Sequence, residues 1–254
     1  DAGYRQGEDE ERYRLNLNTR YRFAKIKGLS AGVNANVTFS RGGNYLIWQN
    51  DSTGAYLPSG GLDPATTTIS IYQTQRTSVD PFIIYTGQNG VSHKLRMRYF
   101  SSDNRNNTNQ QSLASSYFSE YQFQKRINDK YALTGGMSQV QSVVKSELYE
   151  DHTSSNISLF GQADLKFGRF NVSAGGRYEM NSIDDEDPES IPVFRSGINF
   201  KAAEFTFLRA SYGQGYRYAS IAERYISTQV GSIVIYPNDS VQSETGQTAE
   251  FGVK

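Results

Sequence analysis

The feature that most constrains this chain is an alternation of apolar and polar residues from Arg12 to Ser40. From residue 13 to 23 the odd positions read Tyr, Leu, Leu, Thr, Tyr, Phe, while the even positions between them are all Arg or Asn. After a break at residues 25–28, the odd positions are Leu, Ala, Val, Ala, Val, Phe, and the even positions are polar or small. Successive side chains of a strand point to opposite faces, so the pattern predicts two antiparallel strands with one apolar face and one polar face.

The length of these two strands favours a membrane. Strands of soluble proteins usually have about five or six residues, and these two are about twice as long. A tilted strand of about 9–11 residues crosses a bilayer. Arg and Asn on the second face cannot be buried unpaired in a dry core. An apolar outside and a wet inside are typical of an outer-membrane β-barrel.

The composition excludes several other classes of protein. The 254 residues contain no cysteine, which excludes disulfides and thiolate metal sites. Twenty-six basic and 26 acidic residues balance, so no basic field indicates nucleic acid. Eighteen tyrosines suit the aromatic belts of a membrane protein. No apolar run approaches the roughly 18 residues of a membrane helix, and no signal peptide opens the sequence. We therefore expect the N-terminal part of an outer-membrane protein to precede it.

Followed along the chain, the alternation predicts an all-β fold of about eleven antiparallel strands in one partial transmembrane barrel domain, residues 1–254. Short turns are expected near residues 26, 88, 128, 168 and 203. Longer polar connections are expected near 41–67, 101–111, 142–153, 182–192 and 214–244. Bacterial barrels have short periplasmic turns and long extracellular loops, so the longer connections are expected to be extracellular. Such barrels have an even number of strands, so we interpret the chain as about half of a larger barrel.

A longer motif lies near the C-terminal end. Residues 208–225 read LRASYGQGYRYASIAERY, followed in order by Tyr236-Pro237-Asn238, Glu244-Thr245 and EFGVK at 250–254. This series resembles the barrel of TonB-dependent outer-membrane receptors, where R-x-S-Y-G-x-G-F-R-x-P-S precedes a Pro-Asn element, P-E and E-x-G-x-K. Tyr218-Ala219 departs from the usual Ala-Pro, and Gln242-Ser243 from the usual Leu-x-Pro. Residues 93–100, 121–124 and 159–162 are similar to receptors of this kind from Bacteroidetes.

The resemblance implies a barrel of about 22 strands around an N-terminal plug, in contact with outer-membrane lipid. It implies active import of a large scarce nutrient: a siderophore-iron complex, a cobalamin-like compound or an oligosaccharide. Energy would come from the TonB–ExbB–ExbD complex through an N-terminal region outside these residues. The related glycan importers also have a surface lipoprotein lid, and the sequence leaves this partner open. The resemblance implies no enzyme activity, cofactor or resident metal.

Several residues of the motif are candidates for lining the lumen or facing the plug: Arg209, Ser211, Gly213, Gly215, Arg217 and Glu223. By alternation the two arginines and the serine point to the lumen, where we expect bonds to the plug or to one another. The two glycines permit either close approach of another backbone or a bulge at the barrel rim, and both alternatives stay open. Ser220 followed by Glu223 predicts a capping box at the start of a short helix.

Aromatic residues on the first and last long connections are the best candidates for ligand contact: Tyr45, Trp48, Tyr56, Tyr225 and Tyr236. Aromatic faces stack on sugars and planar chelates, although loop packing or headgroup contact is an equal alternative. The acidic run 184–189 offers carboxylates for calcium, but it lacks the glycine turn and regular ligand spacing of a calcium loop, which favours a solvated loop. His93 is expected at the membrane interface.

Two other function classes are considered. A passive porin or a structural outer-membrane barrel would show the same strands but would have no plug. A soluble enzyme built on a large sheet would need convergent catalytic groups, and the sequence presents none.

Overall fold

One large antiparallel sheet dominates the computed structural model, which describes residues 5–52, 54–230 and 233–254. Within these residues the sheet has eleven strands in the order β1-β2-β5-β6-β7-β8-β9-β10-β11-β12-β15, with β1 and β15 at its edges. Its strands are β1 (Glu10–Arg22), β2 (Leu29–Asn44), β5 (Ser70–Thr86), β6 (Val91–Asn106), β7 (Ser112–Arg126), β8 (Tyr131–Ser146), β9 (His152–Phe167), β10 (Phe170–Ile183), β11 (Glu189–Ala203), β12 (Thr206–Arg217) and β15 (Glu244–Val253). The predicted all-β, eleven-stranded fold is confirmed.

The remaining elements are small and lie in the two longest connections. β3 (Trp48–Asn50) pairs with β4 (Gly54–Pro58), and β13 (Thr228–Val230) pairs with β14 (Ile233–Ile235). The helix α1 (Ile221–Tyr225) has five residues. Among the described residues, no helix is long and apolar enough to cross a membrane.

The register keeps the predicted apolar and polar faces separate across the sheet. Tyr13 pairs with Phe39, and Asn16 pairs with Asn36. The apolar face continues across β5 and β6, where Ile83 pairs with Leu95. We call the apolar side of the sheet the outer face and the polar side the inner face. Their separation follows directly from the two-residue period, because one residue of slip would invert every side chain.

Aromatic rings form a row on the outer face near the short turns. His93 lies between Tyr85 and Phe123, with ring centroids 6.0 and 5.2 Å away. Farther along, the ring of Phe170 stacks 4.6 Å from that of Phe200. Such rows mark the water interface of transmembrane barrels. His93 therefore lies where the sequence predicted an interfacial residue.

The connections differ in length from the prediction at one end of the sheet. The short turns are 23–28, 87–90, 127–130, 168–169 and 204–205, close to the predicted positions. At the other end, β6, β8 and β10 extend into the predicted polar loops, so the connections there are only 107–111, 147–151 and 184–188. Backbone pairing does not need apolar side chains, and the polar residues there continue the ladder. The long connections are 45–69 and 218–243, which include residues outside the described part.

Two glycines on the inner face lie beneath aromatic rings of the neighbouring strand. Gly32 pairs with Phe82, and Gly136 pairs with Phe160. A Cβ atom at Gly32 would lie 2.6 Å from the Phe82 ring, and one at Gly136 would lie 2.5 Å from the Phe160 ring. An aromatic side chain covering a cross-strand glycine pins the register of a curved sheet.

Candidate functional site

The inner face encloses a hollow of about 880 Å³ near the short turns. Seven strands line it, from β7 to β12 and β15, which shows that the sheet curves around its polar side. Arg209 and Ser211 line this hollow, as the alternation predicts, together with Lys166, Asn199 and Glu250. Arg209 pairs in register with Asn199, and Ser211 with Glu250. Guanidinium, ammonium, carboxylate and amide groups make this surface able to bind a polar backbone or polar side chains.

Gly213 and Gly215 lie at the end of β12 where the strand separates from β11. Pairing with β11 ends at Gly213, while pairing with β15 continues in unbroken register to Arg217. A bulge at these glycines, one of the two alternatives, is therefore not found against β15. A Cβ at Gly213 would meet no atom within 4 Å, and one at Gly215 would lie 3.9 Å from the Gly246 oxygen. The space above both glycines is open within the described chain.

The predicted capping box is present at the start of α1. The Ser220 hydroxyl accepts from the Glu223 N–H, and the Ser220 N–H donates to the Glu223 carboxylate. Arg217 bridges this helix to β15, at 2.6 Å from Glu223 and 2.8 Å from Glu244. The bond from the Ser220 N–H, with those from Arg217 and the Ser220 hydroxyl, lowers the pKa of Glu223 to about 2. Arg217 thus bonds to Glu223, another residue of the candidate set, and to Glu244 of β15.

The other side of α1 contacts the connection between β10 and β11. Arg224, which is buried, lies 2.7 Å from Glu186, and the Tyr225 hydroxyl donates to the same carboxylate. The Tyr225 ring stacks on His152 with 3.7 Å between the centroids, and His152 lies 2.6 Å from Asp184. We call these five residues, His152, Asp184, Glu186, Arg224 and Tyr225, the rim cluster. It holds the last long connection against the ends of β9 and β10.

Asp184 is the anchor of the rim cluster. Burial by itself raises the pKa of this carboxyl, but hydrogen bonds from His152 and from the Thr153 N–H outweigh it, so the pKa lies below its usual value. Asp184 also has a positive φ of 51°, in the left-handed region that Asp tolerates better than most residues. These bonds favour the charged form of Asp184 at the start of the β10–β11 connection.

Every residue of the acidic run 184–189 is exposed, which agrees with a solvated loop, and three of its carboxylates also have partners in the structure. Asp184 and Glu186 are bonded within the cluster, and Glu189 accepts from Tyr216 and Ser243. The described residues contain no group of three or more His, Cys, Asp or Glu side chains able to hold a metal ion. Glu186 and Glu189 thus contact the last connection, whereas Asp184 contacts the start of β9.

The same connection reaches back across the ends of the neighbouring strands. The Ser227 N–H donates to the Leu148 carbonyl, and the Gln110 side chain donates to Thr228. Below α1, Ile183 is completely buried and lines a small cavity together with Ala219 and Ile221. By register Ile183 lies on the inner face, so α1 folds inward over the mouth of the curved sheet.

The predicted ligand-contact aromatics do not form one surface. Tyr45 is only 3% exposed and lies under the Arg5 guanidinium, 4.3 Å from the ring centroid, so it is not available to a ligand. Trp48 and Tyr56, on the β3–β4 hairpin, are 48% and 57% exposed, and Tyr236 is 75% exposed. Tyr225 belongs to the rim cluster. The exposed aromatics therefore lie on two different connections.

Sequence reasoning missed the contacts of the rim cluster: Arg224 with Glu186, Tyr225 with His152, and His152 with Asp184. The acidic run and the arginine in the last turn of the helix were visible signals. Their pairing was not, because Glu186 and Arg224 lie 38 positions apart in the sequence.

An eleven-stranded sheet with an apolar outer face, an aromatic row and a polar curved inner face defines the wall of a transmembrane β-barrel. A family model described as "TonB dependent receptor-like, beta-barrel" matches residues 1–254. The chain belongs to this family, whose members are outer-membrane receptors rather than enzymes. No curated protein matches it.

The chain is similar in fold to solved structures of proteins that are named for different substrates. The copper transporter OprC is 12% identical with a TM-score of 0.73, over 97% of this chain and 43% of that chain. The siderophore receptor PirA from Pseudomonas aeruginosa is 12% identical with a TM-score of 0.71, over 96% and 43%. The RagAB peptide importer is 14% identical with a TM-score of 0.62, over 96% and 38%. The chain spans less than half the length of these structures, and the likeness shows the fold.

Proposed function

We propose that the protein containing this chain actively imports a large scarce nutrient across the bacterial outer membrane, with energy from the TonB–ExbB–ExbD complex. The observation that carries the proposal is the two-faced sheet of a TonB-dependent receptor barrel, apolar outside and polar around an inner hollow. The nutrient is a siderophore-iron complex, a cobalamin-like compound or an oligosaccharide. Peptides join this list because the RagAB neighbour is a peptide importer.

The long connections lie on the extracellular side in this proposal. Trp48, Tyr56 and Tyr236 then offer exposed aromatic faces to the arriving nutrient, and Tyr225 supports the mouth from within the rim cluster. A surface lipoprotein of the kind found in glycan importers would cover the same end. The proposal places the protein among receptors of the Bacteroidetes type, on the strength of the segments at residues 93–100, 121–124 and 159–162.

The inner face faces a plug in this proposal. Arg209 and Ser211 in the hollow offer hydrogen bonds to it, and the open space above Gly213 and Gly215 accommodates a closely approaching backbone. Arg217 and Glu223 hold the rim and do not contact the nutrient. A plug rearrangement driven from the inner membrane then releases the nutrient.

The test is uptake by cells that carry or lack the complete gene, with the nutrient classes above as sole source of iron, cobalamin or carbon. Import of one class that requires both the gene and an active TonB supports the proposal. The second candidate, a passive porin, has the same strand pattern and is distinguished by uptake that continues without TonB. Uptake of small solutes alone, unaffected by loss of TonB, would overturn active import.

A further inference from the structure

The outer face carries a local charged patch at the end opposite the short turns. Glu11, Arg41, Gln73 and Arg105 are successive partners in the register of β1, β2, β5 and β6, so they form one row across four strands. The next row toward the middle of the sheet is Tyr13, Phe39, Gln75 and Asp103. We call these two rows the outer patch. Beyond them, toward the turns, the next row is Leu15, Val37, Thr77 and Ser101, and the row after it is Leu17, Ala35, Val79 and Tyr99.

Each arginine of the outer patch uses two guanidinium nitrogens in an ion pair and leaves the third nitrogen exposed. Nε and Nη2 of Arg41 lie 2.8 Å from the Glu11 carboxylate. Arg105 uses the same two nitrogens for Asp103, with Nη2 at 2.9 Å. Among the described residues no partner is found for Nη1 of either side chain. The side chains are 65% and 68% exposed, so these donors face outward.

The two arginines are spaced to hold one ligand between them. One strand separates them, which puts their Cα atoms about 10 Å apart at a strand spacing of about 4.8 Å. Gln73 lies in the gap with an exposed amide. A hollow of about 490 Å³ is lined by both arginines, both carboxylates, Gln73, Gln75 and the rings of Tyr13 and Phe39. Its row nearer the rim is charged or amide throughout, whereas its second row has aromatic rings on β1 and β2 and Gln75 and Asp103 on β5 and β6.

This arrangement fits a lipid better than a free anion. Two carboxylates and two guanidiniums make the patch neutral, so it has no long-range attraction for anions. Recognition must come from short-range hydrogen bonds of guanidinium to phosphate, together with apolar contact. Tyr13 and Phe39 provide that contact at the depth where an acyl chain meets its headgroup. The amides of Gln73 and Gln75 add partners for sugar hydroxyls.

We propose that the outer patch is a binding site for a phosphorylated glycolipid of the surrounding leaflet, with its phosphate between Arg41 and Arg105 and an acyl chain on Tyr13 and Phe39. This inference rests on the proposed membrane location. A bound lipid would fix the depth of β1, β2, β5 and β6 in the bilayer. The long arginine side chains reach the headgroup layer from the strand ends.

The test uses the protein from its complete gene, purified from membranes in mild detergent. Native mass spectrometry measures binding of an acylated disaccharide lipid with one phosphate, of the same lipid without phosphate, and of inorganic phosphate. We expect the phosphorylated lipid to bind at least tenfold more tightly than the dephosphorylated one, with no displacement by inorganic phosphate. Equal binding of the two lipids, or displacement by phosphate alone, would overturn the site.

Variants locate the site. Arg41→Gln with Arg105→Gln is expected to weaken binding at least tenfold. Gln73→Glu should do the same without removing either arginine, by adding a negative charge between them. Arg12→Gln is the matched control, because Arg12 lies on the inner face of β1 and pairs with Glu10. If both outer-patch variants bind as the control does, the proposal is wrong.

The same preparations separate this inference from the proposed function. Recovery of the protein in the membrane fraction, with TonB-dependent uptake but no preference for the phosphorylated lipid, contradicts only the lipid site. Recovery in the soluble fraction contradicts the membrane function on which the site rests. If the protein prefers the phosphorylated lipid but imports none of the nutrients, the lipid site is supported and the proposed import is refuted.

Discussion

Gly136 offers a sharp test of how the sheet is packed, because its neighbour Gly135 is a matched control on the opposite face. A Cβ added at Gly136 would lie 2.3 Å from the backbone oxygen of Tyr121 and 2.5 Å from the Phe160 ring. At Gly135 the nearest such atom, the Phe160 oxygen, is 3.7 Å away, which is ordinary contact. Both glycines lie in the middle of β8.

The expected magnitude follows from these distances. The Phe160 ring can rotate away, but the Tyr121 oxygen belongs to a strand paired on both sides, so the sheet itself must shift by about 1 Å. Overpacking of this kind costs about 1–3 kcal/mol. The lower chain entropy of alanine offsets about 0.4–1 kcal/mol. Gly136→Ala should therefore destabilise by up to about 2.6 kcal/mol, whereas Gly135→Ala should be neutral or stabilise by up to about 1 kcal/mol, so the two variants should differ by about 1–3 kcal/mol.

The assay is reversible urea unfolding of the complete protein in phospholipid vesicles, followed by the electrophoretic mobility that separates folded from unfolded barrels. The two variants share strand, residue change and chain entropy, so their difference isolates the close contact. Gly136→Ala combined with Phe160→Ala should still be less stable than Phe160→Ala alone, because the close contact with the Tyr121 oxygen remains. Equal stability of the two single variants would refute the reasoning.

Three further predictions concern the rim and the loops. Arg224→Gln leaves the Glu186 carboxylate without its cation. It should lower the free energy of local opening of residues 218–227 by about 1–2 kcal/mol, measured as about tenfold faster hydrogen exchange in these residues with exchange in the main sheet unchanged. Unchanged exchange in residues 218–227 would contradict a holding role for Arg224. The pKa of Glu223 is lowered from 4.5 to about 2, so its stabilising contribution is complete above about pH 4.5 and is lost as the pH falls toward 2. Protection factors of α1, corrected for intrinsic exchange, should fall in that window and not in Glu223→Gln; a fall in both would exclude this carboxyl as the cause. Trp48→Ala with Tyr236→Ala should weaken nutrient binding by about 1–3 kcal/mol in isothermal titration, and an unchanged Kd would remove both from the ligand surface.

Much of the sheet was predictable because strand formation and facing are local properties of this sequence. Tyr13, Leu15 and Leu17 show their common face by spacing alone, and the turn residues mark the strand ends on the side of the short turns. The capping box of Ser220 and Glu223 was also readable, since both partners lie within one helical turn. The strand ends on the opposite side were not readable, because polar residues such as those at 101–106 continue a ladder that depends on the backbone.

The candidate site was less accessible from sequence. Tyr45 and Trp48 look alike as loop aromatics, yet one is buried under Arg5 and the other is exposed. His152 and Tyr225 are unremarkable separately and stack only because the last connection folds back over β9 and β10. Such contacts depend on the path of a long connection, which no local pattern specifies.

The sequence by itself determined that this chain forms long antiparallel strands with an apolar and a polar face, because the two-residue period depends only on the order of neighbouring residues. Its motif also indicated the receptor family. Only the tertiary structure decided the register that puts Phe160 over Gly136 and sets Arg41 and Arg105 on either side of Gln73. Only the tertiary structure brought the five residues of the rim cluster into contact. These features join residues on different strands, and their energies arise from packing and hydrogen bonds that exist only once the strands are aligned.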